Sequence, residues 1–495
     1  MNSGNRDQVA RMTSWEFEKR LSAEQTDIPG LMILELPVHG DERGWFKENW
    51  QREKMVALGV PDFRPVQNNV SFNFRRGVTR GIHAEPWDKF ISLARGSAFC
   101  AWVDLREDSP CFGRVYACVL DPSRAAFVPR GVGNSFQALE DETIYSYLVN
   151  DHWSADSRGL YTYVNLADPT LKIPWPIPLD RCSLSEADRH HPPLCEVAPM
   201  APRRVLVTGC SGQVGRALRR EIELRGEAGR CDFVDIDTFD IADPSAYDRI
   251  VWSRYGAVIN CAAWTAVDRA ETEEGRASCW RANATGPALL ARACSESGAI
   301  LVHISSDYVF DGVRDLHDER EPPAPLGAYG QSKAAGDAAV SVCPHHYIVR
   351  TGWVVGEGHN FVRTMESLSD RCADEDDGLD EVRVVDDQLG RLTFASDLAR
   401  AIMHLLDSAA PYGIYNMTNT GRVASWADIA QRVFALKHKN EERVVPVNTE
   451  CYRSGIAGPY SPRPMHSTLN LSKIESTGFC APDWELRLEE YVCRR

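Results

Sequence analysis

The fifteen cysteines of this sequence include no Cys-x-x-Cys pair. Scattered singly, they offer neither a zinc-ribbon spacing nor a disulfide framework, and they read as free, mostly buried thiols of a reducing compartment. No apolar run approaches the length that crosses a bilayer. The opening stretch MNSGNRDQVARMTSWEFEKRL lacks the apolar centre of a secretory signal and reads as a polar helix. A cytoplasmic protein with no membrane partner is expected. No cluster of Lys and Arg stands out, and the formal net charge is −15, so the basic face of a nucleic-acid binder is excluded. An anionic ligand fits only where a few arginines converge. The patch HHPPLC, His190 to Cys195, has no second ligand pair at zinc-finger spacing, so it reads as linker and no metal is expected. There is no internal repeat and no low-complexity tract.

What is present is a long, ordinary soluble composition. The chain has 495 residues, 43% apolar and 25% charged. That length exceeds one core and suggests two or three domains. From Leu31 to about Trp175 the pattern is strand-like. SAFCAWVDL, GRVYACVL, AAFVPRG and TIYSYLVN are aromatic and β-branched, and REDSP, DPSR and PRGVGN mark turns between them. Short strands at regular spacing without helices predict a β-sandwich or barrel. From Pro174 to Arg204 proline becomes frequent, which predicts an irregular linker and a boundary near residue 200. Beyond it, RRVLVTG, CDFVDID, GAVINCAA and AILVHISSD alternate with the helical QVGRALRREIELRG and GPALLARACSESG. Such alternation predicts a parallel sheet covered by helices on both faces. ASDLARAIMHLLD and WADIAQRVFALKH are helical, while RCADEDDGLDE reads as an acidic solvated loop.

The second half carries three linked signals. Gly209, Gly212 and Gly215 form G-x-x-G-x-x-G between a strand and a helix, where backbone N–H groups can approach a pyrophosphate. Tyr329 and Lys333 are four apart in AYGQSK and share a helix face. An ammonium beside a phenol favours the phenolate and is expected to lower its pKa. Ser306, in HISSDYVFDG, lies just past a strand end, where ligands sit in such sheets. This trio suits proton delivery to an alkoxide as hydride arrives. Asp235 and Asp237, after the second strand, stand where an acid hydrogen-bonds a ribose hydroxyl and favours NADH.

From Arg204 onward the sequence resembles the dTDP-4-dehydrorhamnose reductases, an extended branch of the short-chain dehydrogenases. GCSGQVG, NCAAWTAVDRAE, HISSDYVFDG, AYGQSKAAGD and SPRPMHSTLN carry the likeness. It implies Ser306 (usually Thr), Tyr329 and Lys333 as catalytic residues. Gly209, Gly212, Gln213, Val214 and Gly215 would hold cofactor phosphates. Asp240, Ile241, Ala262, Ala263 and Thr265 would line the cofactor groove, which Tyr329 and Lys333 also face. Trp353 and Arg463 would contact the sugar nucleotide. NADPH is the implied cofactor, with NADH accepted.

In the first half, His83 stands in RGIHAEPWDK with Arg80 and Lys89 nearby, and Tyr147 alternates within IYSYLVND. HGDERGWFKENW, VQNNVS, TRGIHAEP, FVPRGVGNSF and SLSEAD resemble, in order, the dTDP-4-dehydrorhamnose 3,5-epimerases, which are cupin-type jelly rolls. The likeness implies His83 as general base paired with Asp188, Tyr147 as acid on the opposite sugar face, and Lys89 near the enolate oxygen. Arg43, Glu48, Gln67, Asn69, Arg80 and Asn134 would bind the nucleotide sugar. Carbons 3 and 5 of a 4-keto sugar flank the ketone, so a base of near-neutral pKa can take their protons. Asn134 stands where the family has histidine, Ala187 where it has lysine, and the loop from His83 to Lys89 is shorter.

The expected organisation is a polar segment 1–27, a cupin-type epimerase domain 28–190, a linker 191–203 and a Rossmann-type reductase domain 204–495 with a small substrate-binding subdomain. The expected activity is bifunctional synthesis of dTDP-L-rhamnose by a homodimer. Two alternatives stay open. The cupin half could be a non-catalytic sugar-nucleotide-binding or dimerisation module, or the same chemistry could act on another nucleotide 4-keto-6-deoxy sugar.

Overall fold

Two units divide the chain, Met1–Pro202 and Arg203–Arg495. The structure is a computed structural model that describes residues 17–107, 109–153, 159–372 and 379–493.

The first unit is built from strands β1 (Ser22–Gln25), β2 (Met32–Glu35), β3 (Val38–Asp41), β4 (Gly44–Lys47), β5 (Gln67–Asn73), β6 (Thr79–Ala84), β7 (Lys89–Arg95), β8 (Ala98–Asp104), β9 (Val115–Leu120), β10 (Arg124–Val128), β11 (Val132–Ala138), β12 (Thr143–Val149) and β13 (Thr162–Tyr163). Antiparallel pairing makes a six-stranded sheet, β1-β2-β10-β7-β12-β5, and a five-stranded sheet, β13-β6-β11-β8-β9. Their inner faces supply Ile33, Ile91, Leu93, Cys100, Trp102, Val128, Phe136 and Tyr145 to one core. Phe136 and Tyr145, from opposite sheets, stack 4.1 Å apart. The arrangement is the cupin-type jelly roll. In β5 the period of two gives Gln67, Asn69 and Ser71 to one face and leaves Val70 and Phe72 exposed on the other.

In the second unit β14 (Arg204–Thr208), β15 (Cys231–Val234), β16 (Tyr255–Asn260), β17 (Ile300–Ser306) and β18 (His346–Thr351) join Gly413–Asn416 in a parallel sheet of order β15-β14-β16-β17-β18 followed by that last strand. The chain direction across the sheet reverses at β14, and the crevice outside the strand ends there is the usual ligand position. Helices Gln213–Leu224 and Ala395–Asp407 pack together, with Leu218, Ile222, Leu398 and Ile402 in the core. Helices Phe361–Arg371, Trp426–Leu436 and Trp484–Cys493 enclose a separate smaller core containing Val362, Ala430, Phe434 and Leu488. This is the Rossmann-type architecture with its subdomain.

Three local expectations differ from the structure. The polar N-terminal helix falls largely outside the described residues, and Phe17–Leu21 are not helical. Ser22–Gln25, assigned to a polar lead segment, pairs with β2 as an edge strand because Ala23 and its neighbours find ladder partners there. The stretch assigned to linker is bound to the first unit. Met200 is buried, its N–H donates to Leu105 O at 2.7 Å, and its carbonyl accepts from Glu107 N at 2.9 Å. The centre of the acidic stretch RCADEDDGLDE lies outside the described residues.

Candidate functional site

The first unit opens into a cavity of about 600 Å³ lined by β5, β6, β11, β12 and the segment from Ser185 to His191. Strand register sets its chemistry. Asn134 and Tyr163 are both cross-strand partners of His83, and Tyr147 is the partner of Asn69. Asp188 reaches His83 from the short helix Glu186–Arg189, whose N-cap Ser185 accepts the Asp188 N–H. His83 Nε2 lies 2.7 Å from Asp188 Oδ1. Burial acts to raise the Asp188 carboxyl, but the hydrogen bond and charge of His83 prevail and hold it below its ordinary value. Burial, with the Glu85 charge, pushes Tyr147 up to about 12, so it keeps its proton at neutral pH. The Lys89 ammonium is buried against Glu85 at 2.9 Å and lies 5.7 Å from the centre of the Tyr147 ring. Gln67, Asn69, Arg80 and Asn134 also line the cavity.

Arg43 and Glu48 are not brought into it. Arg43 sits at the β3–β4 turn, exposed and paired with Asp41 at 2.5 Å. Glu48 pairs with Lys54 at 2.8 Å. Each has a near oppositely charged neighbour in its own hairpin or helix start, and that local pairing holds it on the surface.

In the second unit the glycines explain the turn after β14. Gly209 has φ +64°, and a Cβ there would lie 2.5 Å from Ala262 N. A Cβ on Gly215 would lie 2.3 Å from Gly209 O. Only glycines let helix Gln213–Leu224 and the turn approach β16 this closely. The N-cap, Gly212, makes no side-chain cap, so the first N–H groups of the helix carry no side-chain acceptor from it. That bare helix start beside a glycine cradle fits a dinucleotide pyrophosphate. Asp235 accepts from Ser211 N and Ile236 N, both at 2.8 Å, which braces the cradle; Asp237 is exposed. The Gln213 side chain accepts from Gly356 N at 2.7 Å, and Asp240 pairs with Arg281 at 2.5 Å. Ile241 is buried under Gly286, Val214 and Ala262 are half-buried, and Ala263 and Thr265 are exposed beyond β16.

Ser306 ends β17 and Tyr329 and Lys333 lie on helix Ala328–Ser341. The Ser306 hydroxyl acts on the Tyr329 phenol in the direction opposite to burial, favouring its ionised form. Ser306 also donates to Asp307 Oδ1 at 2.9 Å, and burial pushes that carboxyl up to about 6. Lys333 Nζ donates to Ile304 O at 2.6 Å. The expected depression of the tyrosine pKa is not what the structure gives. Burial raises Tyr329 above its ordinary value, and burial lowers Lys333 to about 8. Desolvation disfavours both charged forms and is the largest influence on each. Trp353, with φ +51°, stacks on Trp426 at 3.7 Å. Arg463 donates to Asp268 at 2.9 Å, lies over the Tyr460 ring, and its charge acts on Tyr308, itself edge-on to Tyr329.

Comparison with known proteins decides the family. Residues 203–495 match the family model described as RmlD substrate binding domain, and residues 25–196 match that of dTDP-4-dehydrorhamnose 3,5-epimerase. A Streptococcus pyogenes serotype M6 protein described as an RmlC homolog is 51% identical over 198 residues, 39% of this chain and 99% of its own length. The dTDP-4-dehydrorhamnose reductase of Streptomyces griseus is 40% identical over 291 residues, 57% of this chain and 90% of its own. The chain belongs to both families. In structure it is similar to the Bacillus anthracis dTDP-4-dehydrorhamnose reductase solved in complex with NADP, at 35% identity and a TM-score of 0.53, covering 59% of this chain and 99% of that one.

An epimerase domain and a dTDP-4-dehydrorhamnose reductase domain thus share one chain. Some cavity residues of the epimerase domain escaped the sequence reading. Tyr145 donates to Asn134 Oδ1 at 3.1 Å, Trp87 donates to Glu85 at 2.6 Å, and His191 lies 3.3 Å from Asp188. Tyr145 had a signal, since it alternates with Tyr147 along β12. His191 had only its position three after Asp188, inside a proline-rich run. Among the described residues no helix is long and apolar enough to cross a membrane.

Proposed function

We propose that this chain performs two consecutive steps toward dTDP-L-rhamnose. The epimerase domain inverts carbons 3 and 5 of dTDP-4-dehydro-6-deoxy-D-glucose, and the reductase domain reduces the C4 ketone of the product. The observation that carries the reading is the 2.7 Å His83–Asp188 pair in the same cavity as a protonated Tyr147. A binding module has no use for a base and an acid set in one cavity.

In the first site His83 removes the proton next to the ketone, and Asp188 stabilises the imidazolium and fixes its tautomer. Lys89 stabilises charge on the enolate oxygen. Tyr147 returns a proton from the other face, which inverts the centre. Gln67, Asn69, Arg80 and Asn134 hold the nucleotide sugar. In the second site the glycine cradle and bare helix start would hold the pyrophosphate of NADPH, or of NADH, which when bound would supply the hydride for C4. Tyr329 donates its proton to the C4 oxygen, Ser306 orients the ketone, and Lys333 supports the tyrosine as it loses its proton. Trp353 and Arg463 contact the sugar nucleotide. The epimerase domain extends beyond the expected 28–190 to include strand Ser22–Gln25 and the stretch through Met200, and the reductase domain keeps the limits 204–495.

A cytoplasmic homodimer completes the proposal. Free cysteines support a reducing compartment. β5 is a sheet edge carrying exposed Val70 and Phe72, with exposed Phe74 next to it, a face that a second copy would cover.

The test is incubation with dTDP-4-dehydro-6-deoxy-D-glucose in deuterated water, followed by NMR. Deuterium at C3 and C5 without reductant, then L-rhamnose product on adding NADPH, is expected. No exchange, together with reduction when separate epimerase is supplied, would leave the first domain as a binding module.

A further inference from the structure

The chemistry above leaves His191 without a role. Its ring lies flat on Tyr163, with centroids 4.7 Å apart and planes at 16°, and edge-on to His83 at 5.4 Å. Its Nε2 is 3.3 Å from Asp188 Oδ1, the same oxygen that lies 2.7 Å from His83 Nε2. One carboxylate oxygen therefore sits between two imidazoles, and both His191 and Asp188 are nearly buried, with side chains 11% and 7% exposed. The backbone is held as well. Asn165 Nδ2 donates to His191 O at 2.9 Å and to Arg189 O at 3.2 Å, and Asn165 N donates to Pro192 O at 2.9 Å.

We propose that His191 is a positioning residue for epimerisation, a second N–H donor that fixes the Asp188 carboxylate against His83 and draws off part of its charge. The inference rests on the epimerase reading. An ionised carboxylate only accepts, so contact at Nε2 makes that nitrogen the donor and assigns the ring its tautomer. The titratable groups facing the ring are His83 on β6, Asp188 on the short helix and Tyr163 on β13. Arg189 and His190, beside it in the chain, approach Glu186 instead, at 3.9 Å and 3.8 Å. Burial and the charge of His83 lower His191 below its ordinary value, which keeps it neutral while His83 cycles. A carboxylate that shares its charge with a second donor stabilises the His83 imidazolium less. Without His191, the Asp188 carboxylate loses its second donor and holds the His83 ring less firmly in place.

His83, Asp188 and His191 offer ligand atoms all within 4.8 Å of one another, a spacing that a cation could bridge. The experiment therefore uses the full chain in EDTA. Deuterium exchange at C3 and C5 is followed against pH for the unaltered protein, His191→Phe and His191→Gln. Phenylalanine keeps the stack on Tyr163 and loses the N–H; glutamine keeps an N–H. His191→Phe is expected to lower kcat about tenfold, the scale of one hydrogen bond to a charged group, with KM unchanged. His191→Gln is expected to recover most of the rate, and both variants to melt with the unaltered protein. Unaltered kcat in His191→Phe would overturn the proposal. So would a rise in KM alone, equal loss in both variants, or loss of exchange by the unaltered protein on adding EDTA. Absence of exchange in the unaltered protein with and without EDTA removes the epimerase reading itself, and this proposal with it.

Discussion

At the scale of the residue, burial outweighs charge at the reductase pair. Lys333 and Tyr329 share a helix face, yet desolvation moves each toward its neutral form. The lysine, lowered from 10.5 to about 8, binds fewer protons folded than unfolded between those values. Its burial therefore costs stability while it is charged, and that cost lifts as pH rises from about 8 toward 10.5. Activity has the opposite sign, because Lys333 must carry its proton to support Tyr329. Reduction by the unaltered chain is expected to fall on the alkaline side with a midpoint near pH 8; kcat/KM against pH checks this, and a limb set by an ordinary lysine would refute it. Single substitutions should also separate the two activities. His83→Asn is expected to lower C3 and C5 exchange by about 10² to 10⁴ while reduction of supplied dTDP-4-dehydro-L-rhamnose persists, and Tyr329→Phe to do the reverse. NMR exchange and NADPH absorbance measure the two losses independently.

At the scale of the element, close backbone approach and strand register place the groups. Helix Gln213–Leu224 meets the turn after β14 only because Gly215 has no Cβ to meet Gly209 O. Gly215→Ala is expected to push that helix start away and raise the KM for NADPH at least about tenfold, roughly 1.4 kcal/mol, with exchange in the epimerase domain unchanged. Initial-rate kinetics and the exchange assay together test it; an unchanged KM would mean the cradle tolerates a methyl group. In the epimerase domain the β6–β11 and β12–β5 registers put His83 beside Asn134 and Tyr147 beside Asn69. A one-residue slip in β12 would turn Tyr147 away from the cavity.

At the scale of the whole molecule, the two proposed catalytic sets lie on separate units of one chain. Each set draws on one unit alone, so a chain disabled in one activity should supply substrate to a chain disabled in the other. Mixing His83→Asn with Tyr329→Phe is expected to restore dTDP-L-rhamnose formation that neither variant achieves alone. Product formation followed by NMR decides it. Failure of the mixture, with each variant keeping its own half-reaction, would mean the keto sugar does not pass through solution.

The sequence by itself determined the two architectures, since hydrophobic period and turn spacing are local and survive in the order of residues. It also determined Ser306, Tyr329 and Lys333 as candidates, because a strand end and an i,i+4 pair are short-range patterns, while His83 came from the resemblance of TRGIHAEP to the epimerases. Only the tertiary structure decided what packing controls. It held Arg43 and Glu48 on the surface through pairing with Asp41 and Lys54. It tied the proline-rich stretch through Met200 to the first unit by backbone hydrogen bonds that no composition signals. It raised Tyr329 where a charged neighbour alone would lower it. And it set His191 against Asp188 and edge-on to His83, a contact fixed by Tyr163 and Asn165, which lie more than twenty residues earlier in the chain.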